Sequence, residues 1–234
     1  MRKGYRISEK VITNCQLEKN DFVLNTVWND DNILDEFKPV DGKVEIDGTK
    51  LMRSWFPSQE SKKVFVSHSH GDLDIVKKFA GYLESKNLET FVDATVWGDS
   101  ADLISKINHK YNCLPGEEDT FYYSLDHVIT SNIYMLLIRA LNRMINHCDG
   151  FIFIESDNST QDGNTYSPWI MEELELQNML AHMIMRKSID RSMLVEDSTE
   201  IRISHDIHVN IEELNTIENE RDFNSMMEFI QGAK

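Results

Sequence analysis

The chain has 234 residues, enough for one decorated domain or two small ones with a core of their own. Its 24 Lys and Arg stand against 40 Asp and Glu, a net charge of −16, and a surface this acidic repels phosphate backbones, which argues against direct nucleic-acid binding. A hydrophobic content of 41% separates it from disordered acidic chains.

The longest apolar run, residues 133–138, falls far short of the ~20 residues that cross a bilayer. Arg2, Lys3 and Arg6 are followed by no apolar segment, so no signal peptide is expected. Cys15, Cys113 and Cys148 are odd in number and widely spaced, which fits reduced thiols. These features predict a cytoplasmic protein without a membrane partner.

In the first sixty residues, turn signals at Asp41-Gly42 and Asp47-Gly48 separate residues 43–46 and 49–52, which alternate as in a hairpin. A β-rich N-terminal extension over residues 1–60 is expected, closed by Pro57 and Ser58. Residues 64–66 then read as a buried strand, 72–86 as a helix and 88–92 as a second strand ending in Asp93. A loop with Trp97 and Gly98 leads to a short helix holding Leu103, Ile104 and Ile107. Residues 112–126 read as an irregular insertion, 130–147 as a strong helix and 150–154 as a third buried strand. A polar loop over 156–167 precedes Pro168, well placed in a first helical turn after a Ser cap, and that helix is expected to reach about residue 186. Beyond it, residues 200–209 read as a strand and 222–231 as a helix, in an acidic segment over 191–234 that packs on the main domain. The spacing predicts parallel βαβ units in a doubly wound sheet over residues 61–190, with a helical insertion near 110–147. Ligands of such sheets bind beyond the carboxyl ends of the strands, so the loops after Val66, Val92 and Ile154 are where chemistry belongs.

Three constellations lie there. Ser67-His68-Ser69-His70-Gly71-Asp72 contains an H-x-H-x-D run, which resembles half of a metallo-β-lactamase zinc motif, but its sixth position is Leu73 rather than His. His109, His127, His147, His182, His205 and His208 add no downstream ligand set. A zinc hydrolase using His68, His70 and Asp72 is the minor reading, and a polar helix-capping turn the bland one. Asp93, with Trp97 after it, makes a wall for a flat ligand, or else a cap and a packed ring. In Ser167-Pro168-Trp169-Ile170-Met171-Glu172-Glu173-Leu174, Trp169 and Glu173 share a helix face, and partial desolvation by the ring would raise the carboxyl pKa. Its bland reading is an amphipathic helix with solvated glutamates. The helix with Ile133, Leu137, Leu141 and Met144 is core or interface and carries no chemistry.

In this order the segments resemble a bacterial TIR domain over residues 62–186. Val64-Phe65-Val66-Ser67-His68-Ser69 is similar to the first TIR box, and Phe91-Val92-Asp93 with Trp97-Gly98-Asp99 to the second strand and its BB loop. Trp169, Glu173 and Leu174 are similar to the W-x-x-x-E-[LI] helix start of NAD-cleaving TIR enzymes. The stretch from Asp93 to Asp99 is similar to the TIR-like subunits of Thoeris antiphage systems. Residues 112–126, the long apolar helix and the first sixty residues depart from a minimal TIR domain.

The resemblance implies a flavodoxin-like sheet and an NAD+ nucleosidase or ADP-ribosyl cyclase whose catalytic residue is Glu173. Ser67, His68, Ser69, Asp93, Trp97 and Trp169 would bind the substrate. It implies no metal and no cofactor, with NAD+ as substrate, together with a phage-derived trigger protein, an effector reached through a diffusible nucleotide, and room for a homo-oligomer. Backbone N–H groups near residues 67–72 and 167–169 would hold the pyrophosphate. The rival expectation is a noncatalytic TIR adaptor that binds partners through its BB loop.

Overall fold

Strands buried on both faces read as unbroken apolar runs, and Val64-Phe65-Val66 and Phe151-Ile152-Phe153-Ile154 are two such runs. A computed structural model describes residues 3–18, 31–40, 43–117, 119–182, 205–206 and 208–232. In chain order it begins with β1 (Lys3–Ser8), α1 (Glu9–Asn14), a 3₁₀ turn (Asp31–Glu36) and α2 (Gly48–Trp55). There follow β2 (Val64–Ser67), a 3₁₀ turn (His70–Asp72), α3 (Leu73–Ser85), β3 (Thr90–Phe91), α4 (Asp93–Val96), α5 (Ser100–Tyr111) and α6 (Tyr123–His147). The chain continues through β4 (Gly150–Glu155), β5 (Asn164–Thr165), α7 (Pro168–His182), β6 (His205–Asp206), α8 (His208–Glu212), β7 (Asn215–Ile217) and α9 (Glu220–Gly232).

Five strands form one all-parallel sheet in the order β3-β2-β4-β1-β7, an α/β architecture consistent with a flavodoxin-like fold. The two-residue period of a strand sorts its side chains. Phe65, Phe91, Phe151 and Phe153 fall on one face, where Phe65 stacks on Phe151 at 5.7 Å between ring centres. Val64, Val66, Ile152, Ile154, Tyr5 and Ile7 fall on the other. The aromatic face is covered by α2, α5, α6 and α7, and the aliphatic face by α1, α3 and α9. At Gly150 a Cβ would sit 2.7 Å from Ile230 Cδ1, so a glycine there lets α9 close on the start of β4.

The first sixty residues supply β1, which lies between β4 and β7 in the interior of the sheet, and residues 215–217 supply an edge strand. The sheet therefore draws on all three stretches into which the sequence divides. The expected hairpin is corrected in part. Val40 and Lys43 exchange backbone hydrogen bonds, but residues 49–52 are helical. The Asp47 carboxylate accepts from the N–H groups of Thr49 and Lys50, at 2.8 and 3.0 Å, and caps α2. Leu51, Met52 and Trp55 then bury at helical spacing.

Other boundaries move as well. Residues 93–96 are helical rather than loop, and α6 begins at Tyr123 rather than near residue 130. The expected strand over 200–209 is represented by β6, paired antiparallel with β5, while residues 200–204 and 207 lie outside the described residues. Pro168 opens α7 as expected, and the Ser167 hydroxyl accepts from the Ile170 N–H at 3.3 Å. The extension of that helix to residue 186 lies outside the described residues. Among the described residues no helix is long and apolar enough to cross a membrane.

Candidate active site

All sheet strands run the same way, so the carboxyl ends of β2, β3 and β4 share one edge. The chain leaves β2 for β3 on one side and reaches β4 on the other, which makes the β2–β4 boundary the point where strand order reverses. Ser67 ends β2 at this point, and Asp93 follows β3 as the first residue of α4. Helix α7 lies on the aromatic face and points Glu173 at the same spot. The Ser67 hydroxyl donates to Glu173 Oε2 at 2.6 Å, and both side chains are buried, Glu173 being 3% exposed.

That burial dominates the electrostatics of the site. Loss of hydration raises the Glu173 pKa well above the ordinary carboxyl range, and the negative charge of Asp93 adds to the rise. The Ser67 hydrogen bond pulls the other way, and Glu172 contributes a further small rise. Glu172 itself faces α6, where its Oε1 accepts from the Asn142 amide at 3.4 Å. Only the second glutamate of the pair enters the site.

The His68 side chain is buried, with Nδ1 3.4 Å from the Val66 carbonyl and 3.9 Å from Asp93 Oδ1. Asp93 Oδ1 also accepts from the Ala94 N–H at 2.8 Å, so its carboxylate is held at the start of α4. Ser69 is half-buried and stands at the N-cap of the 3₁₀ turn, but its hydroxyl makes no capping bond there. Ser67, His68, Asp93 and Glu173 are thus gathered from three separate segments, with Ser69 beside them.

The two tryptophans divide. Trp97 is 5% exposed and packs edge-on against Phe91 and Phe56, at 5.0 and 5.6 Å between ring centres. Its indole N–H donates to the Pro57 carbonyl at 3.0 Å. The expectation of a stacking wall at Trp97 is therefore corrected: an apolar ring beside a phenylalanine layer gains more by burial than by facing water. Trp169 is half-buried, one turn before Glu173, and meets the Tyr134 ring edge-on at 5.4 Å. Tyr134, on the helix that sequence patterning assigned no chemistry, is the ring that Trp169 meets.

Asp72 has a role that the sequence did not show. Its Oδ2 accepts from the Ser156 hydroxyl at 2.5 Å and its Oδ1 from the Asn158 amide at 2.6 Å, which ties the turn after β2 to the loop after β4. Both oxygens that the zinc reading would use are engaged, and His70 is exposed beyond them. Among the described residues no group of three or more His, Cys, Asp or Glu is placed to hold a metal ion. A strand followed by Ser156 and Asn158 is the signal for this clasp, but nothing in spacing ties it to Asp72, 84 residues earlier.

A cleft of about 460 Å³ lies elsewhere, lined by Leu34, Asp35, Ser105, Lys106, His109 and Lys110. None of the residues gathered around Glu173 lines it. That cleft and the residues around Glu173 therefore sit apart, and the perturbed carboxyl at the strand edge is the stronger indicator of function. No family model, curated protein or solved structure matches the chain.

Proposed function

We propose that this chain is a TIR-type NAD+ nucleosidase or cyclase that breaks the nicotinamide–ribose bond and makes an ADP-ribose-derived signal in antiphage immunity. The observation that carries the reading is the buried Ser67–Glu173 pair, held at the carboxyl edge of the sheet beside Asp93. It supports the reading because such a bond needs little acid catalysis. The electron pair of the C1′–N bond leaves with nicotinamide, which departs neutral from a pyridinium. What must be stabilised is the oxocarbenium-like ribosyl centre left behind, and a nearby carboxylate does that electrostatically.

Glu173 is poised for such a change of state. In the resting protein, burial and Asp93 favour its protonated form. A pyridinium entering beside it supplies the opposite charge, lowers its pKa and releases the proton to solvent. The resulting carboxylate, with Asp93, faces the developing positive centre. Trp169 offers its ring to the flat nicotinamide, while Ser67, His68 and Ser69 line the entry. Water as acceptor then yields ADP-ribose, an internal nucleophile a cyclic isomer, and another small molecule a conjugate. A separate effector would read the product.

Incubation of the purified chain with NAD+, with and without a phage-derived trigger, should release nicotinamide in the wild type and not in Glu173→Ala. Robust turnover surviving in the variant sinks the assignment. One observation favours the noncatalytic adaptor instead: the Glu173 carboxyl is nearly closed to solvent. A melting-temperature rise with NAD+ or an analogue supports the enzyme, because a ligand that binds only the folded state stabilises it. An adaptor shows none.

A further inference from the structure

A hydroxyl that donates to a carboxylate has the arrangement of a nucleophile with its base, for which a separation of roughly 2.6–3.2 Å is needed. Ser67 Oγ meets Glu173 Oε2 at 2.6 Å, and neither residue is more than 3% exposed. The O–H group that reaches this carboxyl oxygen therefore belongs to the protein and not to bulk water. Ser67 ends β2, a strand buried along its whole length, and it is held in register against Phe153 of β4. A nucleophile fixed in this way outcompetes a diffusing one through its high effective concentration. The electrostatics favour transfer of its proton as well. Burial makes an ionised Glu173 a stronger base than an exposed glutamate, and its protonation relieves the repulsion from Asp93.

Resting on the reading of Glu173 as the carboxylate that meets the ribosyl centre of NAD+, we infer that Ser67 is a site of self-ADP-ribosylation with Glu173 as its base. The C1′–N bond breaks, and its electron pair leaves with nicotinamide. A lone pair of Ser67 Oγ forms the new bond to C1′, while the hydroxyl proton passes to Glu173 Oε2 and then to solvent. NAD+ is the only reactant. The product is an O-glycoside whose leaving group, an alkoxide, is far poorer than neutral nicotinamide. The adduct therefore outlives the turnover that makes it. It also occupies the place of the substrate ribose beside Glu173, so each modified chain stops cleaving NAD+. Water and Ser67 compete for one ribosyl centre: capture by water releases product, and capture by Ser67 ends the activity.

Peptide mapping by mass spectrometry tests this on the purified full chain incubated with NAD+, alone and with lysate of phage-infected cells, with Glu173→Ala in parallel and free nicotinamide measured in each sample. One ADP-ribosyl group should appear on the peptide holding Ser67 in the wild type. It should resist neutral hydroxylamine, which strips such groups from carboxylates but not from serine. After desalting, the fraction of activity lost should equal the fraction of chains modified. Ser67→Ala should carry no adduct, and if that variant does not fold, the wild-type map decides alone. Nicotinamide release with no group on Ser67, or with the group on Glu173, overturns the inference and leaves the proposed function standing. Absence of both nicotinamide and adduct overturns both. Modified chains that keep full activity after desalting overturn the shut-off.

Discussion

A serine and a glutamate 106 residues apart share a 2.6 Å hydrogen bond, and the carboxyl in that bond is the most perturbed acid in the site. Its raised pKa has a definite consequence for stability. A carboxyl whose folded pKa exceeds its unfolded value binds more protons when folded, so its contribution is fully present below the unfolded value and is lost as pH rises through the folded one. Glu173→Gln keeps a hydrogen-bond acceptor for Ser67 and removes the ionisation. The variant should therefore melt several degrees above the wild type at pH 8, at about 2–4 °C per kcal/mol for a chain this size, with the gap closing as pH falls toward the ordinary glutamate range. Calorimetry across pH checks this, and a gap that widens on acidification contradicts it. If the proposed function holds, the same titration enters the kinetics: kcat/KM for NAD+ should rise with pH above the ordinary glutamate range, because the free protein must lose the Glu173 proton. The tryptophans separate by the same logic. Trp97→Ala should cost about 3–5 kcal/mol of stability through a core cavity, while Trp169→Ala, at a half-buried ring, should cost less and, under the proposed function, raise KM for NAD+. Thermal melts and initial-rate kinetics on the two variants distinguish these effects.

At the scale of elements, local capping overrode an apparent strand pattern. Residues 49–52 alternate well enough for a hairpin arm, yet the Asp47 carboxylate satisfies two N–H groups and starts a helix whose apolar side closes on the core. Asp47→Ala should lower stability by about 1 kcal/mol, read as a fall in denaturant midpoint at unchanged slope. Helix α3 was legible because Ile75, Phe79, Tyr82 and Leu83 recur at helical spacing, and α7 because Pro168 after Ser167 marks a helix start. Strands β2 and β4 were legible as apolar runs between turn signals. β1 and β7 were not, since Lys3–Ser8 offers only Tyr5 and Ile7 as large apolar side chains among basic and small residues and Asn215–Ile217 is too short for any pattern to register. The α4 segment escaped for the same reason, being a single turn.

At the scale of the whole molecule, the sheet is stitched from the two ends of the chain as well as from its middle. β1 hydrogen-bonds to β4 on one side and β7 on the other. Deleting residues 1–8 should therefore prevent folding of the remainder, seen as loss of a cooperative melt; a soluble, cooperatively folded remainder would contradict the topology. The net charge of −16 acts at this scale too: under the proposed function the acidic surface would not attract the pyrophosphate of NAD+, and its binding would rest on local donors.

The sequence by itself determined the α/β class, the two central strands and the order in which Ser67, Asp93 and Glu173 appear on strand ends and a helix start. These follow from period and punctuation, which act over a few residues. Only the tertiary structure decided which of those side chains meet, that Trp97 is buried while Trp169 stays near the site, that Asp72 clasps Ser156 and Asn158, and that the first strand belongs inside the sheet. Those outcomes depend on contacts between residues tens to hundreds of positions apart, where burial of a ring or pairing of a strand is settled by what the rest of the chain brings alongside.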